Sequence, residues 1–290
     1  MTSDPVVSIV LPTYNNVGTI GAAIQSVIFQ SFQDWELLLL DDGSTDGTRE
    51  LVGAFDDPRI RLIQDGQHLG LAPRLNQGID LARGSLIARM DGDDICYPTR
   101  LASEVAYLSI RGDVDLVGSF AAFFESPDTP LGIFRAPEHH TELCDRMPGI
   151  IRLIHPTWLG RATWFRRHHY HPSFRRIEDQ ELLLRANKTS RYACVQEIGL
   201  AYRLHSGSRR RVRNEILDQY YHLRLRLIFS EQRQRYRTIA KVILSRGPKL
   251  VYRPLLAGLG LTKLAHQRVL TPPTSTEQAA LRELIRRCQR

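Results

Sequence analysis

Short continuous apolar runs alternate with helical stripes over the first 125 residues. Residues 6–11 (VVSIVL) form an unbroken apolar run, which predicts a strand buried on both faces. Residues 35–40 (WELLLL), 60–63 (IRLI), 85–90 (SLIARM) and 115–124 (DLVGSFAAFF) predict four more strands. Between them, Ile20, Ile24, Val27 and Ile28 share one helical face, residues 70–82 read as a helix, and Pro98 opens another that runs through residue 108. This alternation predicts an α/β protein with an open, mostly parallel, Rossmann-like sheet and helices on both faces.

From about residue 126 to 156 the pattern weakens, and Pro127, Pro130, Pro137 and Pro148 mark loops. Order returns at 157–165, in a helix over 178–186, and in strands at 192–195 and 198–204. Beyond the basic patch at 206–213 (SGSRRRVR) the chain reads as helical, with Ile216, Tyr220, Leu223 and Leu227 in one stripe. The expected division is therefore a domain over 1–205 and a basic helical extension over 206–290.

Charge sharpens this division. Residues 206–290 hold 19 Lys and Arg against 5 Asp and Glu, a net of +14, which leaves residues 1–205 with 20 against 26, a net of −6. An acidic body with a basic tail points to a polyanionic partner, either nucleic acid or an anionic membrane surface. Four scattered cysteines without a CxxC pair suggest free thiols in a reducing compartment. The chain shows neither a signal peptide nor an 18-residue apolar stretch, so a cytoplasmic location is expected, peripheral on the membrane if the tail docks there.

In a parallel α/β sheet, ligands sit beyond the carboxyl ends of the strands. The first strand ends in PTYNN (12–16), the second in DDGSTDGT (41–48) and the fourth in MDGDD (90–94). Asp91, Asp93 and Asp94 repel one another unless a cation sits among them, and a hard divalent ion, Mg²⁺ or Mn²⁺, suits their oxygens. A solvated acidic turn is the plainer alternative. No glycine pattern supports a dinucleotide fingerprint or a P-loop.

These stretches, with GLAPRLNQGIDLARGSLIARMDGDDICYPTRL, HPT (155–157), EDQEL (178–182) and YRLH (202–205), resemble glycosyltransferase family 2 in the family's order. The resemblance covers about residues 6–205. It implies a GT-A nucleotide-sugar fold, with a nucleotide half over about 1–125 and an acceptor half over 126–205. It implies an inverting enzyme that moves a sugar from a nucleotide-diphospho-sugar, a UDP-sugar, to a glycan or lipid-linked glycan acceptor in bacterial surface polysaccharide synthesis.

By the same resemblance, Pro12, Thr13 and Tyr14 lie along the nucleotide, and Asp41 with Asp42 faces the base. Asn76 and Gly92 belong to the donor site. Asp91 reaches the ribose and the metal, Asp93 ligates the metal, Asp94 completes the cluster and His205 reaches the metal or diphosphate. Asp179 is the general base, with Glu178 and Glu181 near enough to compete. His155 and Trp158 fall on the acceptor side, where Trp158 either stacks on a sugar or belongs to the core. The sequence departs from the family at Arg74, one place early, and at 166–172 (RRHHYHP), where a Gly-Gly-Tyr/Phe-Asp turn is expected. The alternative function is a nucleic-acid-binding or membrane-docking protein on an inactive nucleotide-sugar fold, but the ordered acidic motifs have no place in nucleic-acid binding.

Overall fold

The computed structural model describes residues 4–126, 129–145, 151–175, 177–204 and 270–289. Its first half runs β1 (Val7–Thr13), α1 (Ile20–Ile28), β2 (Trp35–Asp41), α2 (Thr48–Gly53), β3 (Ile60–Ile63), α3 (Leu71–Leu81), β4 (Leu86–Arg89), β5 (Ile95–Cys96) and α4 (Arg100–Ile110). The second half runs β6 (Leu116–Phe124), β7 (Pro130–Phe134), α5 (His140–Asp145), a 3₁₀ turn (His155–Thr157), β8 (Leu159–Arg161), α6 (Ala162–Arg167), α7 (Glu178–Ala186), β9 (Tyr192–Arg203), β10 (Leu270–Thr271) and α8 (Ser275–Cys288).

β3, β2, β1 and β4 form a parallel ladder in that order. All seven residues of β1 and of β2 are buried, because helices cover both faces. Alternate side chains go to opposite layers, as the two-residue period of a strand requires. Ile9, Leu11, Leu37 and Leu39 pack with Ile20, Ile24 and Val27 of α1. Val10, Leu38 and Leu40 pack with Leu75 and Ile79 of α3. At Gly78 of α3, a Cβ would come within 2.4 Å of Val10 Cγ1, so glycine sets how closely this helix crosses the sheet.

The sheet continues from β4 through antiparallel β8 to β6, which pairs antiparallel with β7 and parallel with β9. β9 then pairs with the two residues of β5. This last pairing carries Arg203 to the acidic turn between β4 and β5. The two strands expected at 192–195 and 198–204 are one strand, in which exposed Gln196 and Glu197 are absorbed by register shifts against β6. The region expected to be loops, 126–156, contributes β7 and α5, and the stretch 157–165 divides into the end of a 3₁₀ turn, β8 and the start of α6.

Part of the basic extension returns to the body. β10 pairs antiparallel with β7, and Leu281, Leu284, Ile285 and Cys288 of α8 are buried. Thr274 and Glu277 form a capping box at the start of α8, Arg135 pairs with Glu277 at 2.7 Å, and Arg287 lies 4.1 Å above the Phe29 ring. The expected helical stripe from Ile216 to Leu227 and His205 lie outside the described residues. Among the described residues no helix is long and apolar enough to cross a membrane.

Candidate active site

The ends of β1, β2 and β4 converge. Their register sets Thr13 beside Asp41, and Asp42 donates its backbone N–H to the Thr13 carbonyl at 2.9 Å. Thr19 donates to the Gly92 carbonyl at 3.0 Å. A Cβ at Gly92 would lie 3.2 Å from Ile20 and 3.3 Å from Thr13 Oγ1, so the turn after β4 approaches β1 as closely as a glycine allows. Pro12 is buried opposite Leu40 and has no N–H to satisfy there. Tyr14 is 47% exposed, with its ring 4.4 Å from that of His68.

Asp41 is fully buried and accepts from the Ser44 N–H at 3.2 Å and the Gly43 N–H at 3.3 Å. Asp42 is turned inward. Its carboxylate accepts from Leu69 N–H (2.7 Å), Gly70 N–H (3.0 Å) and Arg74 Nε (2.9 Å). Arg74, with no exposed surface, also donates to both Asp65 oxygens and to Gln77. Arg74 thus links β2 to the start of α3 and has no reach to a base or phosphate. The Asn76 amide is used likewise: it donates to the Tyr170 carbonyl (2.9 Å) and accepts from the Tyr170 N–H (2.8 Å). That clip fastens the segment at 166–172, and the Tyr170 hydroxyl meets His155 Nε2 at 2.7 Å.

In the turn after β4, carboxylate oxygens of Asp91, Asp93 and Asp94 all lie within 4.8 Å of one another. Asp94 is 1% exposed; its Oδ1 accepts from the Arg203 N–H at 2.9 Å, while its buried Oδ2 has no hydrogen-bond partner. Burial, and then the charges of Asp93 and Asp91, hold Asp94 well above the usual carboxylate range. Asp91 is also raised by burial, against the pull of Arg89, whose guanidinium forks onto it at 2.7 and 2.5 Å. Arg203 Nε donates to the Asp93 carbonyl at 2.9 Å.

The first turn of α7 presents a second acidic group. Glu181 pairs with Arg185 at 2.7 Å, and Gln180 makes two hydrogen bonds to the Ile151 backbone. Glu178 is 5% exposed and pushed up to about 7, by burial first and by the charge of Asp179 second. Asp179 keeps part of its surface open and is raised by burial. Trp158 has no exposed surface and stands edge-on to His155, which places it in the core. Burial, reinforced by Arg89, keeps His155 well below the usual histidine range and hence neutral. Arg89, Tyr170 and Arg203 carry no role predicted from sequence, although Arg203 lies in the YRLH stretch, Tyr170 in the segment at 166–172, and Arg89 interrupts an otherwise apolar fourth strand.

A Rossmann-like sheet with an aspartate turn after its fourth strand is the layout of GT-A glycosyltransferases. The sequence profile of "Glycosyl transferase family 2" matches residues 8–168, and the chain belongs to that family. It is 40% identical over 128 residues to "Putative glycosyltransferase EpsE" of Bacillus subtilis (strain 168), across 43% of this chain and 46% of that protein. It is 35% identical over 138 residues to "UDP-Glc:alpha-D-GlcNAc-diphosphoundecaprenol beta-1,3-glucosyltransferase WfgD" of Escherichia coli, across 48% and 54%. These matches span about half of each relative's own length. Among solved structures it resembles the mannosyltransferase PcManGT from Pyrobaculum calidifontis in complex with GDP-Man and Mn²⁺, with a TM-score of 0.60 and 17% identity, covering 98% of this chain and 87% of that one.

Proposed function

We propose that this chain transfers a sugar, with inversion, from a UDP-sugar to a hydroxyl of a glycan or lipid-linked glycan in bacterial polysaccharide synthesis. The observation that carries the reading is that two acidic groups share the field of Arg89: the Asp91–Asp93–Asp94 turn and the Glu178–Asp179 start of α7. The family supports the transfer. The names of relatives such as WfgD, which uses UDP-Glc and a diphosphoundecaprenol acceptor, support the donor and acceptor classes.

The residues fit a divalent ion, Mn²⁺ or Mg²⁺. Three carboxylates converge and one buried oxygen of Asp94 is unpartnered, so Asp91, Asp93 and Asp94 would hold the ion. When bound, the ion would offset charge on the departing diphosphate. Thr13 and Tyr14 flank the nucleotide, with Tyr14 free to stack on the base, and Gly92 lets the turn close over it. Asp179 takes the acceptor's proton as the hydroxyl attacks the anomeric carbon opposite the diphosphate. Its raised affinity for protons suits a general base, and it is more accessible than Glu178. Asp41 has no exposed surface and its carboxylate is held by its own loop, so Asp41, Asp42 and Asn76 serve by holding the donor loops in shape.

We assign residues 1–205 to catalysis. The basic extension docks on anionic lipid at the cytoplasmic membrane face, close to a lipid-linked acceptor; its charge and the exposed Arg286 and Arg287 of α8 support this. Asp179→Asn tests the central step. Transfer from UDP-sugar should fall by about 10²–10⁴ while Mn²⁺–UDP affinity moves by less than about 1 kcal/mol. Near-normal transfer by this variant, or a dead Glu178→Gln that still binds UDP, would show that the base is another carboxylate. Vesicle flotation at low and high salt tests the docking, which fails if the full chain ignores anionic vesicles at low salt.

A further inference from the structure

Arg89 ends β4 and is 3% exposed. Both of its terminal nitrogens are committed to Asp91, Nη1 to Oδ2 at 2.7 Å and Nη2 to Oδ1 at 2.5 Å. Its Nε is buried and has no hydrogen-bond partner. Its backbone is equally fixed: its N–H donates to the Trp158 carbonyl at 2.8 Å, and its carbonyl accepts from Arg100 Nη2 at 2.9 Å. A guanidinium buried at such desolvation cost is retained where a planar, two-point partner holds it. The charge of Arg89 also acts on Asp94, Glu178 and Asp179, so both acidic groups of the site feel it.

We propose that Arg89 is a positioning residue, an internal counter-cation that fixes the orientation of Asp91 and competes with a divalent ion for it. The proposal rests on the reading of the acidic turn as a divalent-metal and nucleotide site. Arg89 takes one lone pair on each Asp91 oxygen and places its charge beside them, so an ion that shares Asp91 binds against the field of the guanidinium. Lysine in its place would keep the charge but lose the two-point grip. A neutral side chain of similar length would leave the carboxylates more strongly attractive to a cation.

The test is calorimetric titration of the full chain with Mn²⁺ alone and with Mn²⁺ plus UDP, followed by steady-state transfer. Arg89→Met should bind Mn²⁺ alone about tenfold more tightly than the wild type, the scale of one removed neighbouring charge, while kcat falls. Arg89→Lys should keep Mn²⁺ affinity within about threefold of the wild type, as its charge is retained, yet lose kcat with little change in donor KM. If Arg89→Met does not fold, as judged by near-ultraviolet circular dichroism, the lysine variant decides. A lysine variant with wild-type kcat overturns the proposal. A folded Arg89→Met with unchanged or weaker Mn²⁺ binding, beside a wild type that binds, overturns this proposal alone. A wild type that binds neither Mn²⁺ nor Mn²⁺–UDP overturns the metal-site reading as well.

Discussion

At the ends of β1 and β2, the carboxylates of Asp41, Asp42 and Asp46 are bonded within the protein, mostly by backbone N–H groups of their own and neighbouring loops. In the turn after β4 and the first turn of α7, Asp94 keeps a buried oxygen without a partner, and Glu178 is pushed up to about 7. The first region is electrostatically complete, so its carboxylates build shape. The second is under-compensated, and its carboxylates are stabilised by whatever cation or proton reaches them. Two acidic motifs of similar composition therefore do opposite work.

The sharpest way to break this comparison is Asp42→Ala. It leaves Arg74 buried without its Asp42 partner and frees two N–H groups, so unfolding free energy should drop by about 3–5 kcal/mol in chemical denaturation. A loss below about 1 kcal/mol would mean that the donor loops do not depend on that carboxylate. Next in size is the pH dependence of Glu178. Its affinity for protons is higher folded (about 7) than at its ordinary 4.5, so its stabilising contribution is complete below 4.5 and is lost as pH rises through 7. The difference between wild type and Glu178→Gln should therefore grow by up to about 3 kcal/mol from pH 4 to pH 8 in favour of the variant. Parallel stability curves would place Glu178 with the completed carboxylates.

Tyr14→Ala should leave the melting temperature unchanged, because the ring is exposed. It should weaken UDP binding by about 1–2 kcal/mol if the ring stacks on the base. Equal UDP affinity in calorimetry would remove Tyr14 from the donor site. The smallest effect is expected for Asp94→Asn, which keeps an acceptor for the Arg203 N–H and removes an unwelcome charge. Without divalent ions its stability should match or exceed the wild type by less than about 1 kcal/mol, while stabilisation by Mn²⁺ is lost. A large loss of apo stability would show that Asp94 is as structural as Asp42.

Much of this was legible in the chain. The run VVSIVL predicted a strand buried on both faces and WELLLL the strand after it, each within a residue or two of the observed bounds. What the sequence could not show is which side chain answers which. Asp41 and Asp42 are adjacent and alike, yet Asp42 is turned toward Arg74 across 32 positions. Asn76 is held by Tyr170 across 94, in the segment that departs from the family pattern. Arg89 looks like an interruption of an apolar strand until the fold shows its guanidinium forked onto Asp91. β7 and β5 were missed because a five-residue and a two-residue strand carry almost no period of their own; their partners in β6 and β9 define them.

The pairing of β10 with β7 has a consequence for synthesis. Phe134 meets Leu270 across 136 positions, so at about 5–20 residues per second the free edge of β7 waits roughly 7–27 s for its cover to leave the ribosome. An uncovered edge is a template for pairing with another chain. The short length of β7, its opening proline and the glycine at its third position limit that hazard while the nascent chain is incomplete.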